Sequence, residues 1–430
     1  MHSKSFFAEG KCVRSNGKAQ WFSRSLFIRA IISILLLALV GETFAHGERA
    51  QQAGLRMRTV HWFDTQITTT NLKVNETLTL TGKFVPSRFW PEHMDGPQGT
   101  AFLNVGIPGP VFVRIDSKVN GVPMVRSTAF HLGETYDYSM TLKARTPGRY
   151  HVHPVLSVEG TGPVIGPAFW VEVTGDQADF VNEVTTLTGD TINLETYGMK
   201  NIAFWSALWL VIGLVWFIYW LTKCPILIPR FRRVSDLGDD ADQIITPLDK
   251  KVGAGFLGVS LMLIGFGYFW AQDQYPITTP LQTGKVHVPP MDDPNAKMVT
   301  VRLDDARYRI PGRSFELKLT VTNNSDRPIS LGRFTTANIR FVNPDVLVDK
   351  PVDVGDLVAQ AGLRVDGQAI APGETRQVVA FAEDALWETY RLTSLIYDPD
   401  SRFAGMLFFY DDQYRQFYSE VGGPMLPVFI

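Results

Sequence analysis

The sequence predicts a mainly β protein with membrane helices: two β-sandwich domains joined by a two-helix transmembrane hairpin. Three observations carry this prediction. Short alternating apolar stretches recur between Gly- and Pro-rich turns in the first 190 residues and again after residue 298. Two long uncharged apolar runs separate those regions. One further apolar run, close to the N-terminus, has the length of a secretion signal.

With 430 residues, 45% hydrophobic and 20% charged, the chain is longer than the roughly 100–200 residues of one domain, so two or three domains can each bury a core. Its formal charge is −2. Six of the 41 basic and two of the 43 acidic groups fall within residues 1–45, so removing that segment leaves 35 against 41, a balance of −6. Nothing in this balance suggests a nucleic-acid partner, which needs a clustered basic face.

The run Ala30 to Val40 fits a signal-peptide core of about 7–15 residues, and Thr43 and Ala45 sit where a signal peptidase needs them. Residues 1–45 therefore read as a signal peptide. The run is short for a membrane anchor, which takes about 20 residues. A cut after Ala45 makes His46 the first mature residue, with a free α-amine beside its imidazole. Amine and ring can chelate one metal ion together. Cys12 would leave with the signal, and Cys224 lies beside an apolar run, so the exported domains hold no thiol. Disulfides and thiolate copper or Fe–S centres are excluded there.

Residues 46–195 read as an all-β domain. Leu72 to Leu80, Val111 to Ile115 and Ala168 to Val173 alternate as strands, and Asn120-Gly121 is a two-residue hairpin signal. Seven or more short strands in such a length point to a sandwich or barrel.

Residues 196–272 read as the membrane hairpin. Ile202 to Leu221 is uncharged, long enough to cross a bilayer and rich in the Trp and Tyr of interfacial belts; Val252 to Trp270 is a second, Gly-rich span. Lys223, Arg230, Arg232, Arg233, Lys250 and Lys251 lie between them, which makes the loop cytoplasmic and both β-domains periplasmic. Neither run contains an Asp, Glu, Lys, Arg or His, so its expected role is anchoring and helix packing in the lipid membrane.

A Pro-rich linker around Val288-Pro289-Pro290 leads to the second β-domain, residues 285–430. Phe315 to Thr322 alternates, and Ala371 to Thr375 is a turn feeding Gln377 to Phe381. From Met298 onward there is no histidine and no cysteine, so metal chemistry is expected in the first domain.

Six of the eight histidines, His46, His61, His93, His131, His151 and His153, fall in that first domain. On a strand His151 and His153 point the same way, with Cβ atoms roughly 7 Å apart. The same spacing also suits two solvent-facing histidines. Joined by His46, they make a four-nitrogen set from three residues. A planar nitrogen array suits Cu(II), whereas three neutral histidines in a tetrahedron suit zinc. The amine must lose a proton to bind, so affinity should rise with pH. His61 is the next candidate, against the reading of a histidine packed on Trp62 or hydrogen-bonded in the sandwich. His93 and His131 have flanks that suit surface or loop positions.

Several segments together resemble the B-subunit family of particulate methane and ammonia monooxygenases. They are His46 to Arg49, Leu55 to Trp62, Leu103 to Val111, Arg149 to His153 and Asp398 to Phe403. The resemblance covers essentially the whole mature chain and its domain order. It implies two cupredoxin-like β-sandwich domains joined by the hairpin. It also implies assembly with two other membrane subunits, A and C, as a trimer of heterotrimers. The activity implied is hydroxylation of methane to methanol, or of ammonia to hydroxylamine, with O₂. The cofactor implied is copper, held by His46 with its amine, His151 and His153. In some family members a second copper position uses the residue matching His61, paired with a Gln; the approximate equivalent here is Glu420.

Two functional readings result. In one the chain is the copper-binding subunit of a membrane monooxygenase acting on a small-molecule substrate. In the other it is a non-catalytic periplasmic scaffold or copper-holding subunit, with the chemistry in a membrane-embedded partner. No residue is assigned as catalytic in either.

Overall fold

A computed structural model describes residues 51–186, 188–223, 227–276, 284–310, 314–346, 357–398 and 400–429. Segment 1–45 and His46 lie outside the described residues. Within the described part, helix α1 (Ala53–Arg58) is followed by β1 (Val60–Ile67), β2 (Asn71–Lys73), β3 (Thr77–Pro86), β4 (Ala101–Gly106) and β5 (Phe112–Val119). Then come β6 (Val122–Pro123), β7 (Tyr136–Ala144), β8 (Gly148–Val158), β9 (Gly162–Ile165) and β10 (Phe169–Thr174).

These ten strands make two facing sheets. One runs β1-β3-β7-β5-β6 and the other β2-β10-β8-β4, with β9 paired to β8. Period-two alternation sends Leu80, Phe84, Tyr138, Met140, Leu156 and Val164 into one buried cluster and Leu78, Leu142, Val152 and Val171 into another. Asn120 and Gly121 form the expected two-residue turn, both at positive φ (48° and 77°), between the facing residues Val119 and Val122.

Leu72 to Leu80 is not one strand. Asn75 adopts φ 76°, Glu76 Oε2 accepts from Lys73 N at 2.7 Å, and the chain turns. Asparagine tolerates that left-handed conformation better than most residues. The two halves then enter different sheets. Helix α1 is a second departure from the all-β expectation; Ala, Leu, Arg and Met favour helix, and its apolar face has a core to enter.

Residues 181–280 form their own compact unit. It holds the small ribbon β11 (Glu183–Thr185) and β12 (Thr191–Asn193), then α2 (Met199–Leu221), α3 (Leu227–Leu237) and α4 (Pro247–Gln274). Helices α2 and α4 are each long and apolar enough to cross a membrane. They contain the two expected runs and extend beyond them.

The extension of α4 brings in charge at its ends. Thr246 and Asp249 form a capping box around Pro247: Asp249 N donates to Thr246 Oγ1 at 3.2 Å and Thr246 N to Asp249 Oδ2 at 2.9 Å. Asp249 is buried, accepts from the Tyr219 hydroxyl and lies 3.1 Å from Lys223 Nζ. An expectation drawn only from the apolar runs misses this carboxylate, because it belongs to the cap.

The second sandwich comprises β13 (Val299–Ile310), β14 (Ser314–Asn323), β15 (Ile329–Thr336), β16 (Ile339–Val342), β17 (Val358–Ala359), β18 (Leu363–Asp366) and β19 (Thr375–Glu383). Short helix α5 (Leu386–Thr389) precedes β20 (Arg402–Asp411), β21 (Gln416–Pro424) and β22 (Leu426–Phe429). Its sheets run β18-β19-β14-β13-β22 and β17-β16-β15-β20-β21. Trp387 fills the core, stacked on Phe315 (centroids 5.4 Å apart) and Phe341 (5.3 Å).

The two sandwiches and the segment joining the second to the hairpin belong to one compact unit. Ala53 and Met57 of α1 enter the second sandwich's core, and Arg58 Nη1 donates to Asp400 Oδ2 at 2.6 Å. Phe63 and Val85 of the first sandwich pack with Met406, Phe408, Tyr410 and Tyr418 of the second. The Pro-rich segment is laid onto the first sandwich: Val288 is buried in its core, Asn120 Nδ2 donates to Pro289 O at 2.7 Å and Met291 N to Thr135 O at 3.0 Å. Prolines suit such a strap because they bring no N–H that needs an acceptor.

Candidate metal centre

His151 and His153 lie two apart on β8, and Val152 between them enters the core. Both imidazoles therefore stand on the opposite face of the sheet. Their ring centroids are 4.7 Å apart and their planes 78° apart. His153 is buried and His151 half-buried.

Neighbouring strands hold each ring in place. His151 faces Trp170 across the β8–β10 pair and stacks on it at 4.4 Å, with Arg149 Cζ lying 4.6 Å from the same indole centroid. His153 faces Gly106 of β4, where a Cβ would come within 2.9 Å of Val155 Cγ2 and 3.4 Å of His153 Cβ. Glycine there keeps the adjacent strand clear of the histidine.

The tautomer of His153 follows from its neighbour. Its Nδ1 lies 3.0 Å from Gly166 O. A carbonyl only accepts, so Nδ1 carries a proton, and in the neutral ring Nε2 is the nitrogen that can bind a metal. This is the arrangement by which outer groups orient metal-binding imidazoles. The donor set suits a nitrogen-loving ion such as copper or zinc.

Trp170, Gly106 and Gly166 are the residues that sequence reasoning did not single out. Trp170 sits in a stretch recognisable as a strand, but its place over His151 depends on strand register. The role of Gly166 depends on the turn after β9.

His61 is elsewhere, on β1, facing Val85 of β3. Its Nε2 lies 3.1 Å from Glu420 Oε1 of β21, and both side chains are almost fully buried (2% and 3% exposed). Glu420 Oε1 also accepts from Ser87 Oγ at 2.6 Å and from Arg88 N at 3.1 Å. Burial pushes this carboxyl up, but the bonds from His61, Ser87 and Arg88 outweigh it and hold it below the ordinary value. His93 and His131 are exposed, as their flanks predict; His93 Nδ1 stands 4.0 Å from Asp400 Oδ2.

Among the described residues no three His, Cys, Asp or Glu side chains gather as a metal site. The expected third ligand, His46, lies outside them.

Two β-sandwiches, separated in sequence by a pair of helices long enough to cross a membrane, with one sandwich presenting an oriented imidazole pair, define a mainly β protein with two candidate membrane helices. A family model for the B-subunit protein of monooxygenases matches residues 47–429, and the chain belongs to that family. It is 46% identical over 388 residues to the "Particulate methane monooxygenase alpha subunit" of Methylococcus capsulatus (Bath), covering 90% of this chain and 92% of that one. Among solved structures, the cupredoxin domain of amoB from Nitrosocaldus yellowstonii matches 28% of this chain and 91% of its own length, at 18% identity and a TM-score of 0.22. The sandwich assignment rests on the sheets themselves.

Proposed function

We propose that this chain is the copper-bearing B-subunit of a membrane-bound monooxygenase that hydroxylates methane to methanol or ammonia to hydroxylamine with O₂, two protons and two electrons from an external reductant, the second oxygen atom leaving as water. The two β-sandwiches would be periplasmic and α3 cytoplasmic. Two further membrane subunits would complete a heterotrimer, three of which assemble together. Family membership supports the oxidation complex, and the geometry around His153 supports the metal.

The ligands proposed are the amine and ring of His46 with the rings of His151 and His153. The single observation that carries this set is the place of Gln51, five residues after His46 in sequence. Gln51 Nε2 donates to Pro163 O on β9, and Pro163 faces Ser157 on β8, four residues along from His153. Four strand residues span roughly 13 Å. The five residues from 46 to 51 can extend about 17 Å, longer than that offset along the strand, and we infer that His46 reaches the pair. Copper bound there would supply a redox centre that could engage O₂ once an external donor had reduced it. The chain's own residues hold the rings: Gly166 O fixes the His153 proton, and Trp170 limits rotation of His151.

A second metal position at His61 is not favoured by its donor set. Glu420 already receives Ser87 Oγ, Arg88 N and His61, and a metal would have to displace them. We read this pair as a clamp between the sandwiches.

N-terminal sequencing of the mature protein tests the chelate, and the first residue expected is His46. Product analysis of the purified complex supplied separately with methane and ammonia tests the reaction. A non-catalytic copper-holding role is the second reading, favoured by the absence of any Asp, Glu, Lys, Arg or His from either apolar run. Full turnover by an intact complex stripped of this copper alone would select it.

A further inference from the structure

Helix α3 (Leu227–Leu237), between the two apolar helices, is built differently from either. Helix periodicity puts positions Leu227, Phe231 and Val234 along one stripe, Arg232 and Arg233 on the two flanks beyond it, and Asp236 opposite. Phe231 is 74% exposed. Both arginines are exposed as well, and neither forms a hydrogen bond or ion pair with a described residue. From Lys223 to Leu237 the chain carries four basic groups, Lys223, Arg230, Arg232 and Arg233, against one acidic group, Asp236, a balance of +3. Further on, Asp242 is taken up by Lys250 at 2.5 Å.

The hairpin fixes where this helix stands. Lys223 Nζ, just past the end of α2, lies 3.1 Å from Asp249 Oδ1 in the first turn of α4, and the Tyr219 hydroxyl donates to the same carboxylate. Trp216, Tyr219 and Trp220 cluster at that end, with Trp220 centred 5.5 Å from Trp216 and 5.3 Å from Tyr219. Such side chains favour the level of the lipid headgroups. Ion pair and aromatic cluster together mark where both helices leave the hydrocarbon. Leu227 follows four residues after Lys223, so α3 begins within about 14 Å of that level. A helix tied so near a bilayer, with an apolar stripe, basic flanks and an acid turned away, has the pattern that lies in the plane of the interface. Its arginines can run their stems along apolar surface and set their heads among phosphates, while Asp236 stays in water.

We infer that α3 is an interfacial helix that binds anionic lipid, with Phe231 set into the acyl boundary and Arg232 and Arg233 on headgroup phosphates. The planar guanidinium fork matches phosphate oxygens two at a time. A zwitterionic headgroup also offers a phosphate but no net charge, so the +3 balance selects the anionic surface. The inference rests on the hairpin crossing the bilayer and uses no property of the metal. A complex that failed to enter lipid nanodiscs would refute the crossing; the behaviour of α3 inside the discs tests the lipid contact itself.

Amide hydrogen exchange of the intact complex in nanodiscs reads this contact, because a helix of this length is marginal in water and is protected only while docked. Discs of phosphatidylcholine alone are compared with discs containing one third phosphatidylglycerol. Each basic group near an anionic surface contributes about fivefold, so exchange across 227–237 should be at least roughly tenfold slower in the anionic discs. Arg232→Gln with Arg233→Gln should remove most of that difference while leaving the protection of α2 and α4 unchanged. Equal exchange in the two lipids would point to cover by a neighbouring subunit and overturn the inference. So would a slowing that survives replacement of both arginines.

Discussion

His61 Nε2 stands 3.1 Å from Glu420 Oε1, and the contact joins the first sandwich to the second across 359 residues of sequence. Both side chains are removed from water, and Ser87 and Arg88 donate to the same carboxylate. A buried charge surrounded by donors in this way is stabilising only as a complete set, because each member relies on the others.

Glu420→Ala should therefore be severe. It leaves the Ser87 hydroxyl, the Arg88 N–H and His61 without their acceptor, a loss of about 2–5 kcal/mol. Denaturant titration of the purified protein measures it. Glu420→Gln keeps one acceptor oxygen and should recover roughly half of the loss.

Gly166→Ala probes the turn that orients His153. Its Cβ would come within 2.6 Å of Pro154 Cγ and 3.0 Å of Trp62 Cδ2. Overpacking of this kind costs about 1–3 kcal/mol. Copper affinity should fall with stability, since the displaced carbonyl is the one that holds Nδ1. A metal titration of the variant complex reads this out.

Trp170→Ala removes the surface on which His151 stacks. The expected stability loss is about 0.5–1.5 kcal/mol beyond lost burial, with copper affinity lowered about tenfold. Trp170→Phe should restore most of both. Equal affinity in Trp170→Ala and the parent would remove Trp170 from the list of positioning residues.

Acid sensitivity should reside partly in Asp293. Burial pushes its carboxyl up, but Lys83 Nζ at 2.9 Å and the Tyr418 hydroxyl at 2.8 Å outweigh that and hold it below the ordinary value. A carboxylate depressed in the folded state adds stability that is present above its unfolded pKa and disappears as pH falls through its folded one. Asp293→Asn should thus be less stable than the parent at neutral pH. The gap should narrow below about pH 4, as seen in urea titrations across that range.

The β-class, the paired sandwiches and both apolar helices were legible in the sequence because alternation and uninterrupted apolar length are local signals. His151 and His153 were legible for the same reason: two residues on one strand share a face. What surrounds them was not. Trp170 reaches His151 through strand register and Gly166 reaches His153 through a turn, and neither relation is written in nearby residues. Helix α1 was missed because its apolar face enters the core of a domain more than 200 residues downstream. The His61–Glu420 pairing was suggested by family resemblance, while its saturation by Ser87 and Arg88 required the interface.

The proposed copper site joins His151 and His153 with His46. Metal analysis of the assembled complex carrying His151→Ala and His153→Ala tests it most directly. Less copper per complex than in the parent is expected, with metals held by the other subunits retained. Copper equal to the parent's in a correctly assembled double variant would contradict it.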